Sequence, residues 1–184
     1  MQKEMVLLQI GTSYKNEKMI AFNSINSIKN AGFKGFISIS ELQKDSNVIP
    51  KTKGVYLVLY TAKKVLSFLN IGTGGHFKGK NPNINIDELR KNWIENTIVI
   101  YIGKAGSSTT KATLNSRIQQ YLKFGQGRNI GHWGGRLIWQ IENSGDLTLC
   151  WKPLKNEEPR DGETELIQQF KSIYGKRPFA NLSD

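Results

Sequence analysis

Tyr56, Tyr101, Lys104, Arg117, Tyr121 and Glu163 are the residues whose types and spacing suit chemistry on a phosphate ester. Phosphodiester hydrolysis needs a base for water, positive charge for the five-coordinate phosphate, and a metal or acid for the leaving oxygen. Each tyrosine lies in a β-branched, aromatic run, Gly54–Tyr60 and Thr97–Ile102, so each is expected on a rigid strand. Gly103 follows Tyr101 and removes side-chain bulk where a phosphate backbone would approach, and Lys104 then supplies charge. Arg117 and Tyr121 stand four apart in a helical stretch and share one face. Glu163 opens the last expected helix, where a single carboxylate can hold a divalent cation. Tyrosine is a poor base at its ordinary pKa of about 10. It becomes a plausible one only where Lys104, Arg117 or a metal lowers that value.

The elements that must position these groups follow from patterning. A helix is expected over residues 16–31, ended by Gly32, then a short strand over Phe33–Ile39 and a brief helical turn capped by Ser38. Val65–Leu69 extends or pairs with the first long strand, residues 70–83 form a loop, and Ile86–Ile94 form a helix. The second strand stops at Gly103. Leu114–Phe124 is a helix, and Leu137–Ile141 and Leu147–Trp151 are two more strands joined by a turn at residues 143–146. The last helix runs from about Asp161 to Tyr174 and ends at Gly175. This is an α+β pattern, a small, mainly antiparallel sheet flanked by helices. Residues 1–49 are read as an N-terminal α/β extension and residues 50–184 as the domain carrying the site, with an insertion over about 61–96.

Composition narrows the partner. The chain has 184 residues with 26 Lys+Arg against 15 Asp+Glu, a net charge of +11. Such a surplus, spread along the chain, points to a polyanion and a broad basic face. No basic amphipathic helix stands out, which disfavours a membrane partner. The lone Cys150 can form neither an internal disulfide nor a cysteine zinc site, which fits a reducing cytoplasm. The apolar run Met5–Ile10 is too short for a membrane span and lacks a cleavage pattern, so a soluble cytoplasmic protein is expected.

Gly54-Val55-Tyr56 followed by Tyr101-Ile102-Gly103-Lys104 resembles the paired signature of the GIY-YIG nuclease family. Arg117 and Tyr121 match the arginine and following tyrosine of that family's first helix. Glu163-Thr164-Glu165-Leu166-Ile167 resembles its metal-binding segment, and Pro178-Phe179-Ala180-Asn181 its closing Pro and Asn. The resemblance covers about residues 50–182. It implies cleavage of DNA phosphodiesters with Mg²⁺ or Mn²⁺ held by Glu163, and one signature tyrosine activating water. Tyr56 is favoured as that base, with Tyr101 orienting water or phosphate; the reverse stays open. Arg117 is then expected to stabilise phosphate charge, Lys104 to assist and Asn181 to brace the site. Glu165, two positions from Glu163, points to another side of the helix and is the lesser candidate for the metal. Family members often join the signature strands by a short hairpin; here a long insertion separates them.

Other residues admit two readings. Gly74–Lys80 is similar to the phosphate-binding loop GxxxxGK, but Asn81 stands where Ser or Thr would bind Mg²⁺ and Pro82 hinders the helix. Lys78 and Lys80 are therefore read as DNA contacts on a basic loop, with Arg128 and Arg136 as further candidates. His132 is either a second proton-transfer group or structural. Trp133, Trp139 and Trp151 are read as core. The rival to a nuclease is a catalytically inactive DNA-binding module that keeps the fold; an RNA-directed enzyme ranks lower. One active site cuts one strand, so duplex cleavage needs a dimer or two binding events, and monomer or dimer is left open.

Overall fold

Strand β2 (Gly54–Leu59) is buried at every position. A strand achieves this only when both faces of its sheet are covered. It is flanked by β1 (Lys34–Ser38), β3 (Val99–Ala105) and β4 (Thr148–Pro153) in an antiparallel sheet of order β1-β4-β2-β3. Five helices surround it: α1 (Ile25–Asn30), α2 (Ile39–Lys44), α3 (Ile86–Asn92), α4 (Leu114–Gly125) and α5 (Pro159–Tyr174). The computed structural model describes residues 19–62 and 65–182, and these form an α+β fold with an open four-stranded antiparallel sheet. No described helix is long and apolar enough to cross a membrane.

Alternation along β2 divides its side chains between two cores. Tyr56 and Val58 enter one, with Ile100, Tyr101, Ile118, Tyr121, Trp139 and Trp151. Val55, Leu57 and Leu59 enter the other, with Phe22, Ile28, Ile102, Leu166, Ile167 and Phe170. Helices α2 and α4 cover the first face; α1 and α5 cover the second. Val58 lies opposite Tyr101 and Leu59 opposite Val99, so Ile100 is the extra residue of a β-bulge. The bulge lets Ile100 and Tyr101 serve the first core while Val99 serves the second.

Several elements differ from the sequence expectation. The first helix is short. The Ser24 hydroxyl accepts the Ser27 N–H at 3.3 Å and caps α1, and Phe22 turns inward to pack on Phe170 at 5.2 Å. Residues 16–18 of that expected helix, and the run Met5–Ile10, lie outside the described residues. Strand β1 joins the sheet edge beside β4, so the segment before residue 50 contributes to the same sheet. Strand β3 continues past Gly103 to Ala105, because Gly103 pairs with Tyr56 and Ala105 with Gly54. Helix α5 starts at Pro159, two residues earlier than expected, with proline in its first turn.

The largest correction concerns Leu137–Ile141, expected as a strand. Arg136–Gln140 is a buried 3₁₀ helix instead. A short buried apolar run reads alike as strand or helix, and burial alone decided the patterning here. Gln140 explains the choice: its amide donates to the Ile84 carbonyl at 2.9 Å and accepts the Ile84 N–H at 2.8 Å. That clamp ties the insertion to the first core. Val65–Leu69 does not extend β2 either; Phe68 bridges Ile141, and the Leu69 N–H donates to the Gln140 carbonyl at 2.8 Å. Trp93 then closes an aromatic cluster with Tyr60, Phe68 and Phe179.

Candidate active site

Tyr56 and Tyr101 come from neighbouring strands onto one face of the sheet. Their ring centroids lie 5.9 Å apart, and Tyr121 from α4 adds a third ring at 5.6 Å from Tyr101 and 6.3 Å from Tyr56. Gly103 sits directly across from Tyr56, and a Cβ there would fall 2.5 Å from the Tyr56 Cζ. The space left by Gly103 is therefore filled by the tyrosine ring itself, and not kept for a phosphate backbone as its position after Tyr101 suggested.

Burial raises both phenols. Tyr56 is pushed well above 10, by burial first, then by the neighbouring Tyr101 charge, with Arg117 pulling the other way. Tyr101 is raised only to about 12, again mainly by burial, with Arg117 lowering it and Glu163 raising it. The interaction between the two hydroxyls lowers the Tyr101 pKa and raises that of Tyr56.

Arg117 comes from α4, which a Thr113–Ser116 capping box starts and Asn115 pins by donating to the Ser46 carbonyl at 2.9 Å. Ile118, Tyr121 and Leu122 of α4 are buried, and Arg117 beside them is half-buried with its guanidinium donating to Gln120 at 3.2 Å. The chain after α4 folds back over the tyrosines. The Tyr121 hydroxyl donates to the Gly135 carbonyl at 2.8 Å, and Gly135 is left-handed (φ 73°) with Tyr101 where its Cβ would be.

His132 stands behind this wall and does not line the cleft. It is 0% exposed and its ring lies 4.4 Å from Tyr121. Neither ring nitrogen has a partner among the described residues, and burial, helped by Arg117, lowers its pKa to about 3. A neutral buried histidine cannot shuttle protons in the neutral range, so the structural reading of His132 is the one the geometry favours. Because its folded pKa lies below the unfolded one, the unfolded chain binds the proton first. Stability is full above about 6.5 and is lost as pH falls toward about 3. His132→Phe is expected to flatten that acid limb, by on the order of a few kcal/mol at pH 4, in thermal melts across pH. An unchanged limb would show that other groups set the acid stability.

Glu163 arrives from the opposite face. Leu166, Ile167 and Phe170 of α5 are buried against the sheet, and Glu163 continues their stripe by one turn toward the end of β3. Its carboxylate is 15% exposed and takes the Lys104 ammonium, itself 40% exposed. Glu165 is exposed and accepts from the Gln169 amide at 3.0 Å. The start of α5 is held by Glu158, which bonds the Lys53 ammonium at 3.0 Å and the Ser108 N–H at 3.1 Å. The C-terminal segment covers the outer edge of β3. Asn181 accepts the Ile102 N–H at 2.9 Å and donates to the Ile102 carbonyl at 2.8 Å, and the Ala180 N–H bonds the Ile100 carbonyl.

These groups meet in one cleft of about 480 Å³ at the C-terminal end of β3. Tyr56, Tyr101, Lys104, Arg117, Glu163 and Asn181 line it, whereas Tyr121 and His132 support it from behind. Lys78, Lys80 and Arg128 are exposed elsewhere. The Lys78 N–H bonds Asn129 at 3.3 Å, joining the basic loop of the insertion to the loop that follows α4. Gly75 of the GxxxxGK-like stretch donates its N–H to the Phe124 carbonyl at 2.9 Å, so that amide caps α4 and is not free for a phosphate. Arg136 lies over the Trp133 ring at 4.5 Å. Trp133, read as core from the sequence, is half-buried on the cleft wall with Ser116 and Gln120. The Gly134-Gly135 pair beside Trp133 was the one sequence signal for a close approach there.

Among the described residues no group of three His, Cys, Asp or Glu side chains could hold a metal. Glu163 is the one carboxylate on the described cleft wall. That set fits Mg²⁺, which keeps most of its waters and needs only one or two carboxylates beside phosphate oxygens. Comparison with known proteins returns no match to a family model, to a curated protein or to a solved structure.

Proposed function

We propose that the chain is a metal-dependent endonuclease that hydrolyses DNA phosphodiester bonds, as the GIY-YIG nucleases it resembles do. One observation carries the reading: two phenols, two cations and one carboxylate, from β2, β3, α4 and α5, line a single cleft. The net charge of +11 supports a nucleic-acid partner. Arg117 places positive charge beside the phenols and stabilises the charge that builds on the phosphate. Lys104 neutralises Glu163 in the resting protein and turns to the phosphate when the carboxylate is engaged elsewhere. Glu163 would hold a Mg²⁺ or Mn²⁺ ion, which would supply Lewis-acid assistance to the leaving oxygen.

Of the two phenols, Tyr101 is the better base. It has the lower pKa, and it is 7% exposed against 1% for Tyr56. This reverses the order favoured from sequence; Tyr56 positions Tyr101 and tunes it.

The Lys104–Glu163 pair also favours a second reading, a DNA-binding module in which the ion pair has taken over from a metal. A plasmid nicking assay with Mg²⁺ and Mn²⁺ separates the two. Wild type is expected to nick, and Glu163→Ala to nick at least about a hundredfold more slowly. Equal inertness of both proteins across metals would leave the binding module.

A further inference from the structure

The sequence has four tryptophans, and three serve the first core. Trp139 and Trp151 are buried in it, and Trp93 packs against it. Trp133 belongs to neither apolar cluster of the described residues. It forms part of the cleft wall, next to Gly134, whose Cβ would lie 3.1 Å from the Tyr101 hydroxyl. The indole is held from one side by the Arg136 guanidinium, 4.5 Å from the ring centroid. Nε and Nη1 of that guanidinium are buried without a partner among the described residues. An indole fixed in plane by a cation, one residue from the peptide over a reacting phenol, is built to receive a flat π-surface. The cleft, at about 480 Å³, has the size of a pocket for a single small ligand such as one nucleotide, not for a whole duplex.

We propose that Trp133, held by Arg136, is a stacking platform for one unpaired nucleobase beside the scissile phosphate. The inference rests on the phosphodiesterase reading and narrows its substrate class. A base inside continuous duplex has both faces covered by its neighbours; only a flap, a gap or an extruded nucleotide offers a free face. The site therefore selects DNA with an unstacked nucleotide over intact duplex.

The test uses the full chain carrying Glu163→Gln, without added metal. Fluorescein-labelled DNA with a short single-stranded flap is compared with intact duplex of the same sequence by anisotropy. The flap is expected to bind about tenfold more tightly. Adding Trp133→Ala removes that preference, and Trp133→Phe keeps most of it. Affinity for intact duplex, and its salt slope, stay unchanged, because no phosphate contact is lost. The platform is overturned if the parent shows no preference, if Trp133→Ala keeps it, or if Trp133→Ala weakens flap and duplex alike. Nicking by wild type together with any of these results removes the platform and leaves the hydrolase. No binding and no nicking of any DNA removes both.

Discussion

Arg117→Ala is expected to slow plasmid nicking by about two to three orders of magnitude, while the fold keeps its stability to within ~0.5 kcal/mol. The guanidinium is half-buried and its hydrogen bond to Gln120, at 3.2 Å, lies within the same helix. Its removal opens no core cavity. Its charge, however, acts on the whole site: it lowers the pKa of Tyr56 and Tyr101 and opposes protonation of His132. Two losses therefore combine in the variant, charge for the five-coordinate phosphate and help in forming the phenolate. The second loss has a sign that pH reveals. With Tyr101 at about 12, only about one molecule in 10⁵ carries the phenolate at pH 7. The rate should then climb about tenfold per pH unit above neutrality. Without Arg117 the Tyr101 pKa rises further, so the climb shifts to higher pH and the deficit at any fixed pH grows. Arg117→Lys keeps a charge but not the planar fork and should recover only part of the rate. A pH–rate profile of all three proteins checks this. A variant profile parallel to and level with wild type would remove Arg117 from the site.

The sequence was informative where local pattern and chemistry coincide. Gly54–Leu59 and Val99–Ala105 are apolar, β-branched and next to glycine, and they pair as antiparallel strands. Leu114–Gly125 shows helical spacing and carries its own capping residues. Glu163 could be separated from Glu165 by helix geometry alone, and the structure puts them on different sides. What escaped depended on distant partners. Leu137–Gln140 took a 3₁₀ path because Gln140 clamps Ile84, a residue far back in the chain. Trp133 was indistinguishable from Trp139 and Trp151 by type, since only three-dimensional packing tells an indole in a wall from one in a core. The Lys104–Glu163 pair joins the end of an edge strand to the first turns of α5 on the same face of the sheet, and no spacing rule encodes that. The difference in burial and pKa between the two phenols was equally hidden, because it depends on a few per cent of exposure and on neighbours from other elements.

Gly103→Ala tests the close packing of Gly103 against the Tyr56 ring. Tyr56 is 1% exposed, and its ring lies where the new methyl must go: 2.5 Å from Cζ and 2.7 Å from the hydroxyl oxygen. The φ of Gly103 is not in the left-handed region, so the conflict is one of volume alone. The ring cannot simply step aside, because Tyr101 and Tyr121 stand at 5.9 and 6.3 Å. Overpacking of this kind costs about 1–3 kcal/mol, or a fall in Tm of about 2–4 °C for each kcal/mol in a chain of this size. Activity should fall further than stability suggests. Moving Tyr56 disturbs the interaction with its hydroxyl that lowers the Tyr101 pKa, and a displacement near 1 Å at a reacting group can cost about a hundredfold. A second substitution separates the two effects. Gly103→Ala combined with Tyr56→Leu removes the ring that the methyl strikes, so the double variant should regain much of the lost Tm. Its nicking rate should stay low, because Tyr101 no longer has the Tyr56 hydroxyl that lowers its pKa. The coupling between the two positions is then favourable in stability and absent in catalysis. If Gly103→Ala melts and nicks as wild type does, the tyrosine pair is looser than its geometry states, and tuning of Tyr101 by Tyr56 goes with it.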